Sequence, residues 1–259
     1  MATNASNQRL ATDSFKLGFL GGFQVMTLTY RLASGLQLAS FRSMKTSLFL
    51  LLAACLVSVT SVADPASATA PVVLFDGKSL DKWEPVDIGG SGSVEVQDGE
   101  MIISQGESVS GAIYKDWQKL PTTNYEISLE AMRVQGVDFF VGLTFPVNDL
   151  KTQLTLVMGG WGGSVTGISS IDGLDASENN TGTFQRYKDN TWYKVKLRVT
   201  PKEIVVTLDG KEVINTDIAG KKLGLRPGPM ESYAGLSLTT FMTTAAIKNV
   251  VLTPLPAKS

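Results

Sequence analysis

Alternating apolar and polar positions are clearest in residues 192–214 of the 259-residue chain. Between residues 192 and 199, apolar side chains alternate with lysine and arginine. A period of two puts one face of a strand on a core and the other in water. A second run covers residues 204–208, and Asp209 and Gly210 after it favour a type I′ turn, which needs positive φ at both central residues. We therefore predict a three-stranded antiparallel meander, with a second sheet covering its apolar face.

Strand patterns recur through residues 72–255 at spacings of about ten to fifteen residues. Residues 125–133 alternate between apolar and polar side chains, whereas residues 139–145 are apolar on both faces, which is typical of a central strand. Asp98 and Gly99 form a second Asp-Gly hairpin turn. With about twelve such strands and no helical period, the sequence predicts an all-β fold, a single two-sheet antiparallel sandwich of jelly-roll type.

The absence of histidine removes much candidate chemistry. The chain has no histidine and one cysteine, Cys55, so Ser-His-Asp and Cys-His catalysis, histidine metal ligands and cysteine-rich zinc sites are excluded. Any catalysis must use Asp, Glu, Lys, Arg, Tyr, Ser or Thr, and calcium is the first candidate for an oxygen-ligated metal. Lysine plus arginine (23) nearly balance aspartate plus glutamate (24), with no basic cluster, which disfavours nucleic-acid binding.

Residues 44–63 have the pattern of a secretory signal peptide. Met44 and Lys45 precede an apolar run at residues 47–59, and small residues lead to Ala63, the expected cleavage site. The run is shorter than the roughly twenty residues of a transmembrane helix. We therefore expect a secreted or periplasmic protein, with an uncleaved membrane anchor as the alternative.

The segments on either side of this signal have simpler interpretations. Residues 1–43 have no clear period, and we interpret them as an over-extended gene start, with a long n-region as the alternative. Residues 64–71 predict a short flexible linker. Residues 52–55 resemble a bacterial lipobox, which would make Cys55 the site of a lipid anchor. Because apolar residues continue past Cys55, the plainer interpretation is a cysteine inside the signal core.

Four groups of residues resemble motifs of one family, the 3-keto-disaccharide hydrolases. The motifs are LFDGKSLDKW at 74–83, VQDGEM at 96–101, NTWY at 190–193 with LDG at 208–210, and IKNVVL at 247–252. The resemblance covers residues 72–255 and implies a concanavalin-like sandwich that acts on glycosides oxidised at C3. In that chemistry a base removes the C2 proton, the glycosidic oxygen leaves C1, and water adds to the product. It needs a base and a group that polarises the ketone.

The same resemblance leaves two non-catalytic alternatives open. Family members often carry an arginine at the end of one strand and an acidic residue on the next. The corresponding residues 141–146 contain no arginine, and residues 153–157 contain no carboxylate. Since a fold does not fix a function, the alternatives are a carbohydrate-binding sandwich and a structural module of the cell envelope. Carbohydrate is the expected partner of the enzyme and of the binding module.

The catalytic candidates are Glu130, Asp138 and Arg133. Glu126 and Glu130 share one strand face about 13 Å apart, which is too far for a direct acid/base pair. We expect Glu130 to pair with Asp138 across strands, and Arg133 to orient a carboxylate or a sugar hydroxyl. A solvated polar face is the alternative.

Trp161 is the candidate for stacking on a sugar ring, because the glycines of residues 159–163 leave it projecting from a loop. The alternative is a core tryptophan at the sandwich edge. Glu126, Arg186 and Tyr187 complete the predicted substrate-binding set. The acidic loop at residues 172–180 makes Asp172 and Asp175 candidate calcium ligands, with a solvated loop as the alternative.

Overall fold

Two antiparallel β-sheets are stacked face to face in the computed structural model, which describes residues 70–257. The predictions about the gene start, the signal peptide, the lipid anchor at Cys55 and most of the linker fall outside these residues. None of the helical turns within residues 70–257 has the length and hydropathy that crossing a membrane requires.

Within residues 70–257, fifteen strands form the two sheets. In chain order they are β1 Val72–Phe75, β2 Trp83–Val86, β3 Val94–Gln97, β4 Glu100–Ile103, β5 Val109–Tyr114, β6 Tyr125–Gly136, β7 Val141–Val147, β8 Asp149–Gly159, β9 Val165–Ser169, β10 Thr183–Phe184, β11 Trp192–Val199, β12 Glu203–Leu208, β13 Lys211–Asp217, β14 Ser237–Phe241 and β15 Thr243–Pro254. Sheet A has the order β13-β12-β11-β6-β15-β4-β3, with β1 also paired to β15, and sheet B has the order β10-β9-β8-β7-β14-β5-β2. The predicted two-sheet antiparallel sandwich is confirmed.

The predicted meander is the β11–β12–β13 edge of sheet A. Val195, Leu197 and Val199 of β11 are buried, whereas Lys194 and Lys196 at the alternate positions are exposed. Asp209 and Gly210 have φ values of 50° and 82°, so the turn between β12 and β13 has the positive φ pair of a type I′ hairpin. The other Asp-Gly pair, between β3 and β4, has φ values of 51° and 84°, and both hairpin predictions are confirmed.

Two buried aromatic side chains connect the sheets. The hydroxyl of Tyr125, in sheet A, donates to the carbonyl of Pro146 in sheet B, with 2.5 Å between the oxygens. The indole Nε1 of Trp83, in sheet B, donates to the carbonyl of Leu74 in sheet A at 2.9 Å. Because buried polar groups are costly when unpaired, these bonds let large aromatic rings fill the core. Burial raises the pKa of Tyr125 well above its usual value.

The number of strands differs from the prediction. Residues 70–257 form fifteen strands instead of about twelve, because short edge strands such as β2 are too brief for a periodic signal. β10 ends at Phe184, and Tyr187 beyond it is buried. β14 begins at Ser237. A 3₁₀ helix at Pro229–Tyr233 precedes it, where Glu231 accepts the backbone N–H of Gly228 at 3.2 Å.

Two long connections cover the outer face of sheet B. Ser170 and Gly224 exchange backbone hydrogen bonds of 2.9 and 3.3 Å, which join residues 170–182 to residues 218–236. Met230 and Tyr233 of the second connection pack against Val109, and the Tyr233 hydroxyl donates to the Val109 carbonyl at 2.9 Å. The cover leaves a pocket whose lining includes residues of β8, β9 and β14.

Candidate functional site

The pocket on sheet B has a volume of about 220 Å³. Its floor is Thr155 and Val157 of β8 and Ser169 of β9, which stands opposite Thr155 in the strand register. These side chains face outward because Leu154, Leu156 and Met158, at the alternate positions of β8, fill the core. Three apolar side chains form the walls, and three functional side chains complete the lining. The walls are Phe139, Met230 and Phe241, and the remaining side chains are Asp138, Trp161 and Arg226.

Trp161 projects from the turn at Gly160–Gly163 that follows β8. Its backbone is left-handed, with φ 49° and ψ 56°, a conformation that costs a non-glycine residue about 1 kcal/mol or more. Gly162 and Gly163 follow with φ values of 83° and 98°, which glycine adopts without steric cost. The side chain is 38% exposed, so part of the indole ring is open to a ligand.

Asp138 lies in the connection between β6 and β7 and is fixed by four hydrogen bonds. Its Oδ1 accepts the backbone N–H of Phe139 at 2.8 Å, and its Oδ2 accepts that of Gly162 at 3.2 Å. The Thr243 hydroxyl oxygen accepts the Asp138 N–H at 3.1 Å and the hydroxyl donates to the Asp138 carbonyl at 2.9 Å. A carboxylate has about four lone-pair sites, so Asp138 can still accept from a ligand.

Arg226 completes the site, and the sequence analysis missed it. Its Nε lies 3.0 Å from Oδ2 of Asp175, whose Oδ1 accepts from the Ser170 hydroxyl at 3.2 Å. The central carbon of the guanidinium is 5.8 Å from the centre of the Trp161 ring, within range of a cation–π interaction. Arg226 comes from an irregular connection far along the chain, where no period or motif could indicate its position.

Arg133 supports the site from behind. Its Nε is 2.5 Å from Oδ1 of Asp189, one terminal nitrogen donates to the Tyr187 carbonyl at 2.9 Å, and the other to the Gly163 carbonyl at 3.4 Å. Only 12% of the side chain is exposed. Arg133 therefore joins β6 to the tryptophan turn and to the segment before β11. The carboxylate that it pairs with is that of Asp189, and contact of Arg133 with a sugar hydroxyl stays a prediction.

Arg186 and Tyr187 line a shallow groove beside the tryptophan turn. The Tyr187 ring packs edge-on against Phe140 and Tyr193, with ring centres 4.8 and 5.1 Å away. Its hydroxyl shares a 2.5 Å hydrogen bond with Thr166, and burial raises the pKa of Tyr187 to about 12. The ring therefore belongs to the core and is not free to stack on a sugar, whereas the Arg186 side chain is exposed.

A family profile matches most of this chain. The profile of the 3-keto-alpha-glucoside-1,2-lyase-like domain matches residues 70–252. The chain belongs to this family. The recognition made from the sequence motifs is thereby confirmed. No curated protein sequence matches the chain.

Solved structures resemble the chain at low sequence identity. A Crh5 transglycosylase in complex with NAG has 13% identity and a TM-score of 0.50, and the match covers 73% of this chain and 85% of that one. Domain 4 of AbnA, a GH43 extracellular arabinanase from Geobacillus stearothermophilus in complex with arabinotriose, has 16% identity, a TM-score of 0.45 and coverages of 74% and 94%. The carbohydrate-binding module CBM66 from Bacillus subtilis has 12% identity, a TM-score of 0.41 and coverages of 66% and 95%. The likeness to the transglycosylase concerns the sandwich fold.

The family motifs lie in the framework of the sandwich. Trp83 ends the first motif and is buried between the sheets, Asp209 stands in the β12–β13 turn, and Asn249 occupies a bulge of β15. None of the three lines the pocket. The motifs therefore identify the fold, and the pocket residues are supplied by strands and connections that the motifs do not include.

Glu126 and Glu130 lie on the outer face of sheet A. The carboxylate of Glu126 is 3.1 Å from the Lys196 ammonium, and Oε1 of Glu130 accepts from the Asn249 amide at 2.9 Å. In the strand register Glu130 stands opposite Lys194 and Lys248. The expected cross-strand pair of Glu130 with Asp138 is therefore absent, because β6 pairs with β11 and β15 while Asp138 turns towards sheet B.

The two candidate metal ligands have other partners. Oδ1 of Asp172 accepts the backbone N–H of Lys222 at 2.9 Å, and Asp175 pairs with Arg226. Within residues 70–257 no three carboxylate, cysteine or histidine side chains are grouped as a metal site. Calcium binding at Asp172 and Asp175 stays a prediction.

Proposed function

We propose that the protein is an exported enzyme that cleaves glycosides oxidised at C3, by elimination followed by addition of water. The observation that carries this proposal is the convergence of Asp138, Trp161 and Arg226 on one pocket. Together they supply a proton acceptor, a stacking surface and a cation. The family match over residues 70–252 supports the same class of substrate.

The number of carboxylates favours elimination over direct hydrolysis. Most glycoside hydrolases use two carboxyl groups, about 5 to 10 Å apart, on either side of the glycosidic bond. Within the described residues, Asp138 is the one carboxylate in the pocket lining. Elimination from a 3-keto-glycoside needs a single base, because the C3 ketone already makes the C2 proton acidic.

The elimination can be assigned to groups in the pocket, and addition of water follows it. The Asp138 carboxylate takes the C2 proton, the electron pair forms the C1–C2 double bond, and the C1–O bond breaks. The resulting carboxylic acid returns the proton to the leaving oxygen. Water then adds its hydroxyl to C1 and a proton to C2, which gives the free 3-keto sugar. Arg226 donates to the ketone oxygen and stabilises the charge that develops there.

Binding is assigned to the rest of the lining. The Trp161 ring stacks on the apolar face of the sugar. The hydroxyls of Thr155 and Ser169 are within the pocket floor and can bond sugar hydroxyls. The apolar walls exclude water, which strengthens the electrostatic contacts inside. Ligand pockets commonly measure about 300–1,000 Å³, so this smaller one suits a single sugar ring.

A second candidate function is carbohydrate binding without turnover. The observation that favours it is the composition of β8, which gives the pocket Thr155 and Val157 and no ionisable group. A cell-envelope module with no sugar ligand is the remaining alternative. Export rests on the signal-like residues 44–63, and cell fractionation with and without these residues tests it.

Incubation of the purified protein with 3-keto-glucosides and with the parent glucosides separates these functions. Release of 3-keto-glucose from the oxidised substrates alone supports the enzyme. Calorimetric binding of either glycoside without turnover supports the binding module. Absence of both turnover and binding, together with a glycan array on which the protein binds nothing, contradicts both.

A further inference from the structure

The pocket and the neighbouring groove share one wall. Asp138 and Trp161 line the pocket, whereas their chain neighbours Val137 and Gly162 line the groove. The bond from the Gly162 N–H to the Asp138 carboxylate, at 3.2 Å, joins the two segments of this wall. The groove, of about 460 Å³, therefore begins where the pocket ends, with Asp138 at the boundary.

The groove carries an unneutralised positive charge. Two guanidinium groups, those of Arg133 and Arg186, are in its lining, which contains no carboxylate among the described residues. Arg133 is paired with Asp189 at 2.5 Å. Within residues 70–257, Arg186 has no carboxylate at ion-pair distance, and its side chain is exposed.

We propose that this groove binds the leaving group of the glycoside, and that Arg186 selects leaving groups that carry a carboxylate. The inference rests on the proposed function. The base that removes the C2 proton must lie close to the C1–O bond, because C1 and C2 are adjacent. If Asp138 at the boundary is this base, the sugar ring lies in the pocket and the leaving group lies in the groove. A carboxylate in the groove would form a charge-assisted hydrogen bond with the free Arg186 guanidinium.

The test uses two 3-keto-glucosides that differ only in the charge of the leaving group. One releases 4-hydroxyphenylacetate and the other releases its neutral amide, so that the reactivity of the phenol is matched. We expect kcat/KM to be about three to ten times higher for the anionic substrate. The preference should shrink in 1 M salt, where the screening length falls to about 3 Å. Arg186→Gln should abolish it, and Arg186→Lys should keep part of it.

The control variant is Lys151→Gln, an exposed residue at the end of β8 opposite the tryptophan turn, which removes the same charge and should leave the preference unchanged. Equal kcat/KM values for the two substrates in the wild-type protein would overturn the groove assignment while leaving the proposed function intact. If neither substrate turns over, the proposed function fails. Calorimetry with the two unoxidised glucosides then tests whether the groove prefers the anionic group. Tighter binding of the anionic glucoside, lost in Arg186→Gln, supports the assignment, and equal binding or none overturns it.

Discussion

The carboxylate of Asp138 accepts the backbone N–H of Gly162, the residue that follows Trp161, at 3.2 Å. The proposed base and the proposed stacking ring are therefore held in one hydrogen-bonded unit, although they come from different connections of the chain. Orientation of this kind is a large part of what an active site supplies, since small displacements of reacting groups reduce rates strongly.

Replacement of Asp138 by asparagine tests the assigned base. Asp138→Asn keeps the size of the side chain and one acceptor oxygen but cannot take a proton from C2. We expect kcat for a 3-keto-glucoside to fall by about 10²- to 10⁴-fold, with a smaller change in the affinity for the parent glucoside. Asp116→Asn is the matched control, because Asp116 pairs with Lys119 on the surface at 2.8 Å. Retention of wild-type kcat in Asp138→Asn would remove Asp138 from the reaction.

Trp161→Ala tests the stacking surface. Removal of the partly exposed ring should weaken binding of the sugar about tenfold, a loss comparable with that of one aromatic stacking contact. Phe184→Ala is the control, since Phe184 is 83% exposed and does not line the pocket. Calorimetry measures both variants. Unchanged affinity in Trp161→Ala would mean that the ring has another role.

The left-handed backbone of Trp161 makes a separate prediction about stability. Trp161→Gly removes the ring as well as the steric cost of φ 49°. We expect Trp161→Gly to lose sugar binding as Trp161→Ala does. Its free energy of unfolding should nevertheless be about 0.5–1 kcal/mol higher than that of Trp161→Ala. Chemical denaturation of the two variants provides the comparison. A less stable glycine variant would indicate that the turn conformation carries no strain.

Arg133 should affect the site by holding two loops in place, because its guanidinium donates to a backbone carbonyl on each of them. Arg133→Lys keeps the charge but loses the planar arrangement of donors, so we expect a loss of about 1–3 kcal/mol in stability. The same variant should raise KM, because the tryptophan turn loses its bond at Gly163. Arg198→Lys is the control, whose exposed ion pair with Glu203 spans 3.6 Å and should contribute less than about 1 kcal/mol.

The buried hydroxyl of Tyr187 should make the stability of the fold depend on pH. Burial raises the pKa of Tyr187 to about 12 in the folded protein, above the value of about 10 expected after unfolding. The contribution of the neutral phenol to the stability of the fold is therefore fully present below pH 10. It is lost as the pH rises from 10 to 12, by up to about 3 kcal/mol. Tyr187→Phe should be less stable at pH 8, because Thr166 loses its partner, and this deficit should shrink towards pH 12.

Denaturant unfolding of both proteins between pH 8 and pH 12 measures this difference. Tyr125 and Tyr233 also have raised pKa values, so the stability of each protein will fall with pH. The informative quantity is the gap between wild type and Tyr187→Phe. A gap that stays constant across this range would contradict an elevated pKa of Tyr187.

The sequence predicted the parts of the fold that depend on local pattern. Alternation in β11 and positive φ at Asp209 follow from neighbouring residues alone, so the meander and its turn were predictable. Trp161 and Asp138 were chosen as candidates because a glycine-rich turn and a carboxylate in a connection are visible in the sequence, and both line the pocket. Their contact through Gly162 was not predicted.

The remaining site residues depend on long-range packing. Glu130 and Asp138 are eight positions apart, and the end of β6 between them sends one to sheet A and the other towards sheet B. Tyr187 was predicted to bind substrate, and a cluster with Phe140 and Tyr193 buries it. Arg226 reaches the pocket from a distant connection, where it pairs with Asp175. Such relationships arise from the pairing of distant segments, which a local period does not contain.

The position of hydrogen at C2 of the product tests the proposed reaction most directly. When a 3-keto-glucoside is cleaved in D₂O, elimination and hydration should deliver 3-keto-glucose with deuterium at C2, in step with turnover. Incubation of 3-keto-glucose alone in D₂O corrects for spontaneous exchange. Deuterium at C2 of the first product formed is the result we predict. Product that retains the original hydrogen at C2 would mean that the C1–O bond breaks by direct hydrolysis, without a base acting at C2.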